Sequence, residues 1–280
     1  MGAVLSAVAL GAAAAESLVG DTHLEMADAA WSAGYDTAVD RRLDVPPPQR
    51  ETFVALAQAA LARAGAALTS PQYVVVVDRN PQVQALFVLL YTARQTWHWV
   101  GAAPVSTGRV GDYDHFRTPL GVFDHLPDHG DFRAEGTFNA NGIRGYGVRG
   151  MRIFDFGWVI AERGWGRGGQ SPMRLQMHAT DPARLEPRLG LVASKGCIRI
   201  PASLNVWLDR RGVLDAPYDR ALAAGAPMWV MRADRQPTAW SGRYLVVIES
   251  PLTQRPAWSP SPALRGGHAA DATVSTAQRC

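Results

Sequence analysis

Tyr73-Val74-Val75-Val76-Val77, closed by Asp78-Arg79-Asn80-Pro81, decides the fold class. An aromatic residue followed by four β-branched ones favours extended backbone, and an Asx-Pro turn ends it. Segments 85–91, 97–100 and 173–178 carry the same signal, and 228–232 and 244–249 read as closing strands. Pro104-Val105-Ser106-Thr107-Gly108 and Thr118-Pro119-Leu120-Gly121 are loops, the second leading into Val122-Phe123. Residues 130–170 are rich in glycine and aromatics and have no helical period. They read as a flexible flap, with Tyr146, Trp158 and Trp165 as candidate substrate contacts. Helices are few and short: 201–211, with proline at its start and Gly212 after its end, and 215–224. Many short strands between Gly and Pro turns imply a mostly β domain over 71–250 with a few short helices.

Outside that domain the composition changes. Residues 2–15 resemble the apolar part of a secretion signal, with small residues for cleavage near Ala13 to Ala15, so 1–15 is expected to be a signal peptide and the protein exported. That run is too short and alanine-rich for a stable membrane span. Residues 22–68 form an N-terminal helical segment: 22–44 are helix-friendly, Val45-Pro46-Pro47-Pro48 interrupts, and 49–68 is amphipathic, with Phe53, Leu56, Ala60 and Leu61 on one face. Two helices packed on the main domain are expected. Residues 251–280, built largely from Ser, Pro, Ala, Gly and Thr, read as a disordered tail ending in Cys280.

At 47% hydrophobic residues, 280 residues are enough for a sizeable core. A net charge of +3, with no basic cluster interleaved with aromatics, gives no reason to expect nucleic acid.

The chemistry is concentrated in Ser194-Lys195-Gly196-Cys197-Ile198-Arg199, with His178 19 positions before Cys197. A thiol becomes a strong nucleophile beside an imidazole that accepts its proton. His178 can take that proton and return one to a leaving amine. Gly196 lets backbone approach a substrate carbonyl, so the N–H groups of Gly196 and Cys197 are candidate oxyanion donors. Lys195 adds positive charge beside the sulfur, which favours thiolate.

This arrangement resembles the L,D-transpeptidase family (the YkuD-type catalytic domain), whose signature is a His, a gap, then Ser/Thr-x-Gly-Cys-apolar-Arg or Asn. His178, Ser194, Gly196, Cys197, Ile198 and Arg199 fill it. The 73–77 strand and the loops at 104–108 and 118–121 resemble the family's first strand and two characteristic loops, so the similarity spans about 71–250. It implies an L,D-transpeptidase-like β-sandwich. It also implies a Cys197 thioester on a peptidoglycan stem peptide, formed with release of the terminal D-alanine and then transferred to an amine. His178 is then the base, with its ring held by a backbone carbonyl for which Ala179 is the nearest match. Arg199 is the matching candidate for a substrate carboxylate. Many members carry a second His where this chain has Lys195. Two rivals follow: water resolving the thioester, which gives a carboxypeptidase or amide-cleaving peptidase, and a non-catalytic wall-binding protein.

Other patterns are weaker. Gly145-x-Gly147-x-x-Gly150 and Gly164-x-Gly166-x-x-Gly169 fit a dinucleotide fingerprint by letters, but neither joins a clean strand to a helix. His125-Leu126-Pro127-Asp128-His129 reads as a solvated turn rather than a zinc site, since Pro127 breaks the helix such a site uses. No cofactor and no metal is expected.

Overall fold

The computed structural model describes residues 34–92, 96–260 and 262. The expected signal peptide and Cys280 lie outside the described residues. Among the described residues, nine strands form two sheets: β1 (Gln72–Asp78), β2 (Ala85–Tyr91), β3 (Trp97–Pro104), β4 (Gly121–Asp124), β5 (Phe132–Arg133), β6 (Arg152–Glu162), β7 (Gln170–Ala179), β8 (Ile198–Ile200) and β9 (Tyr244–Ile248). The first sheet runs β3-β2-β1-β9-β4 and the second β5-β6-β7-β8. Helices α1 (Pro47–Arg63), α2 (Ala202–Arg211) and α3 (Ala216–Ala223) complete the main elements, so the fold is sheet-rich with few helices.

The valine run sits at the centre of the first sheet, antiparallel to β2 on one side and parallel to β9 on the other. Alternation sends Tyr73, Val75 and Val77 into a core shared with Phe154, Leu175, Met177, Ile198 and Ile200 of the second sheet. Val74 and Val76 point the other way, into a second core with Phe53, Ala57, Ala60 and Leu61 of α1. Burial on both faces explains why the strand is uniformly apolar instead of alternating.

Helix α1 starts at Pro47, where a missing amide costs nothing because the first-turn N–H groups have no partner within a helix. The triple proline therefore opens the helix rather than preceding it. Residues 35–40 pack on α2, where Tyr35 meets Trp207 edge-on at 5.1 Å, and beyond it Arg41 pairs with Glu186 at 3.4 Å.

Four expectations need correction. Residues 228–232 form turns, not a strand; Met231 N–H donates to Met228 O and Arg133 binds the Val230 carbonyl, so this backbone is occupied outside any sheet. The glycine-rich stretch 130–170 is not one flap. It contains β6, which pairs with β7 and carries an irregularity between Asp155 and Trp158, where Gly157 has a φ of 79°. Residues 251–260, part of the expected tail and among the described residues, are packed on the domain. Trp258 packs on Phe53 and Phe87 and donates to Gln49, and Ser259 Oγ donates to Val83 O at 2.9 Å. One indole thus anchors a segment whose composition suggested disorder. Finally, His125 is fully buried in a charge cluster with Asp131, Arg152 and Asp215 rather than in a solvated turn.

Candidate active site

The Cys197 loop is held by the two loops that the sequence marked. Ser106 and Arg199 exchange both backbone hydrogen bonds, at 3.0 and 2.9 Å, and the N–H groups of Ala193 and Ser194 donate to Thr107 O. Thr118 Oγ1 accepts from Gly108 N at 2.9 Å and donates to Gly196 O at 2.7 Å. A buried Gln84 fixes Thr107, accepting its N–H at 2.9 Å. Three separate sequence segments therefore meet at residues 193–199. Glycine is required where they touch. A Cβ at Gly108 would lie 2.0 Å from Phe116 O, and one at Gly196, whose φ is 136°, would lie 2.8 Å from Met173 Cε.

His178 stands in β7, and Cys197 is the last residue of the turn that enters β8, the neighbouring strand. In β7, Met173, Leu175 and Met177 enter the core, so Arg174, Gln176 and His178 face outward. In β8, parallel to β7, Met177 is opposite Ile198 and His178 opposite Arg199. Extending that register by one residue puts Cys197 beside Gln176, one step from His178 and on the same face.

The imidazole is arranged as a base. Its Nδ1 lies 2.6 Å from the Ala179 carbonyl, an oxygen that only accepts, so the proton is on Nδ1 and the lone pair on Nε2. Nε2 is buried and has no hydrogen-bond partner among the described residues. Tyr146 packs edge-on against the ring at 4.7 Å. Burial, reinforced by the nearby Arg199 charge, lowers the His178 pKa to about 4 in spite of the Ala179 contact, so the ring is neutral at neutral pH.

Cys197 as a whole is 1% exposed. Its Sγ lies 3.9 Å from the Arg174 carbonyl, a weak S–H···O contact, and is not hydrogen-bonded to His178. Such a contact commonly tightens only when substrate arrives. A cavity of about 310 Å³ lies alongside, lined by Phe132, Tyr146, Trp158, Arg174, Gln176 and Lys195 among others. Cys197 is not itself in that lining, but Lys195, Arg174 and Gln176 border it.

The remaining expected residues divide. Ser194 Oγ donates to Cys197 O at 2.5 Å and accepts from Gly196 N at 3.1 Å, so it shapes the turn. That second bond uses the Gly196 N–H expected to serve an oxyanion. Lys195 lines the cavity, but its charge is shared with Asp114, 3.2 Å away. Arg199 is half-buried and donates to Ala193 O at 3.2 Å; burial lowers its pKa, against the opposing pull of the Cys197 charge. Of the proposed contacts in 130–170, Tyr146 and Trp158 line the cavity, whereas Trp165 packs on Phe116 at 4.8 Å.

Arg174, Gln176 and Asp155 escaped the sequence reading. The first two could have been found, since they share alternation with His178. Asp155 could not. Its place opposite Gln176 depends on the register of β6, beside an irregularity that letters do not reveal.

No family model matches the sequence, and no curated protein does. Among solved structures, the chain is similar to a fused Zn-dependent amidase/peptidase/peptidoglycan-binding domain-containing protein from Clostridium acetobutylicum, at 13% identity and a TM-score of 0.28, over 75% of this chain and 66% of that one. A TM-score that low does not establish a shared fold, so the activities named for that protein remain its own.

Proposed function

We propose that this chain is a cysteine acyltransferase of the L,D-transpeptidase type that acts on peptidoglycan stem peptides outside the cytoplasmic membrane. The observation that carries the reading is the shared outer face of β7 and β8. It brings a neutral imidazole with an unspent Nε2 next to a thiol, behind a cavity lined by aromatic and cationic side chains. The meeting of the 104–108 and 118–121 loops at the Cys197 turn supports it further, because the resemblance to that family rests on the same segments. Two sheets that share one core, as a sandwich requires, support the reading.

In this reading Nε2 of His178 takes the Cys197 proton as sulfur attacks the donor carbonyl, and later delivers it to the departing D-alanine nitrogen. The proton on Nδ1 stays with the Ala179 carbonyl throughout, which keeps the ring oriented. Arg199, on the same face, disfavours an imidazolium. The thioester then passes to an amine.

Incubation with disaccharide-tetrapeptide should release D-alanine and leave a thioester adduct, and both should vanish in Cys197→Ala. Neither product from the wild type, or equal release from Cys197→Ala, would overturn the reading. The mass of the product with and without an added amine separates transfer from hydrolysis.

A further inference from the structure

Acyl transfer through a thiol places negative charge on the substrate carbonyl oxygen, and that charge needs hydrogen-bond donors. One of the two backbone donors expected from the sequence is already used, since Gly196 N–H is bonded to Ser194 Oγ at 3.1 Å. A side chain stands in position to replace it. Gln176 occupies the outer face of β7, opposite Asp155 on β6, and the continued β7–β8 register puts it beside Cys197 on the other side. It is 3% exposed and lines the cavity.

The Gln176 amide has a fixed direction. Its Nε2 donates to Asp155 Oδ2 at 2.6 Å, and its Oε1 accepts from Tyr146 Oη at 3.4 Å. A carboxylate only accepts, so the nitrogen must be the atom facing Asp155. Asp155 is itself held by Gly157 N–H at 2.8 Å and by Arg174 Nε at 2.6 Å. Nε2 carries two hydrogens, and Asp155 takes one of them, which leaves a second to donate.

We propose that this second N–H of Gln176 donates to the oxyanion formed when Cys197 attacks, with Asp155 as the positioning residue that holds the amide. The inference rests on the acyl-transfer reading above. As the sulfur–carbon bond forms, the carbonyl π electrons move onto oxygen and the thiol proton goes to His178 Nε2. The oxygen then lies against the Gln176 N–H. When the intermediate collapses, those electrons re-form the carbonyl, the carbon–nitrogen bond breaks, and His178 returns the proton to the leaving nitrogen. Asp155 polarises the amide and strengthens the donor as negative charge develops.

Two reagents separate this role from a structural one. A carbapenem acylates a thiol through an oxyanion. Iodoacetamide alkylates by displacement at carbon and forms none. Both rates would be read by mass spectrometry on the full chain. For Gln176→Met, which keeps the volume and removes the amide, carbapenem acylation should slow about 100- to 1,000-fold while alkylation of Cys197 stays within about twofold. Asp155→Leu, the second variant, keeps much of the volume but offers no acceptor, so it releases the amide, and should slow acylation about 10-fold with alkylation again unchanged. Equal loss of both rates in the two variants would show that they merely displace the thiol, and would overturn the proposal. So would unchanged acylation in Gln176→Met. A wild-type protein that neither acylates nor releases D-alanine would overturn the acyl-transfer reading itself, and is told apart from those outcomes by the wild-type arm alone.

Discussion

Two histidines are buried among the described residues, and their ring nitrogens are treated in opposite ways. His125 has both engaged: Nδ1 meets Leu214 O at 3.0 Å, and Nε2 meets the two oxygens of Asp131 at 3.0 Å. Its ring stacks on Tyr218 at 4.8 Å. His178 has one engaged and one unspent. The same contrast runs through their surroundings. Around His125, Arg152 bonds Asp131 at 2.6 Å and Asp215 at 2.9 Å, and Arg133 bonds Asp209 at 2.8 Å. The charges of His125 and Arg152 outweigh burial and hold the Asp131 carboxyl below its usual range. A histidine whose nitrogens are both committed fixes structure. One that keeps a buried lone pair has capacity left for chemistry.

The sharpest way to break that contrast is to substitute each ring. His178→Gln should lower D-alanine release about 1,000-fold or more, with little change in melting temperature. His125→Gln should do the reverse, removing about 2 kcal/mol of stability while the folded fraction stays active. Activity retained in His178→Gln, or lost in fully folded His125→Gln, would erase the distinction. Next in size is Arg152→Met, which strands Asp131 and Asp215 in the interior. It should cost about 3–5 kcal/mol in a urea titration. A loss under about 1 kcal/mol would mean the cluster is hydrated rather than buried.

The pH response sharpens the comparison further. An unfolded histidine protonates near 6.5 and the folded His178 near 4. Between those values the unfolded chain binds more protons, so stability falls as pH falls, by about 3 kcal/mol in full, and is unaffected above 6.5. Urea titrations at pH 7, 5.5 and 4.5 should therefore show a decline in the wild type that is shallower in His178→Gln. Parallel declines would mean that the ring is not buried neutral.

Much of this was legible as letters, and the reason is local. The valine run, β2 and β7 are continuous apolar or alternating segments whose partners matter little to their being strands. The Cys197 turn and its two clamping loops could also be read, because glycine, proline and threonine there answer to backbone needs. What stayed hidden depends on partners distant in sequence. His125 looked like a solvated turn because the charges that enclose it, Arg152 and Asp215, come from β6 and the start of α3. Trp258 looked like part of a tail because its contacts, Gln49 and Phe53, lie some 200 positions earlier. Asp155 had no signal at all until register placed it across from Gln176.

The smallest effect concerns the clamp. Thr118→Val removes the hydroxyl that joins Gly108 to Gly196 and should cost about 1 kcal/mol, with a drop in D-alanine release larger than the lost folded fraction explains. A variant of normal stability and activity would show that the loop does not depend on that bridge.

The most direct test of the central claim, that Cys197 is a nucleophile served by His178, is peptide mapping by mass spectrometry after incubation with a carbapenem. The account predicts one adduct, on Cys197, formed readily in the wild type and barely in His178→Gln. No adduct on Cys197, or one formed equally fast without the imidazole, would contradict it.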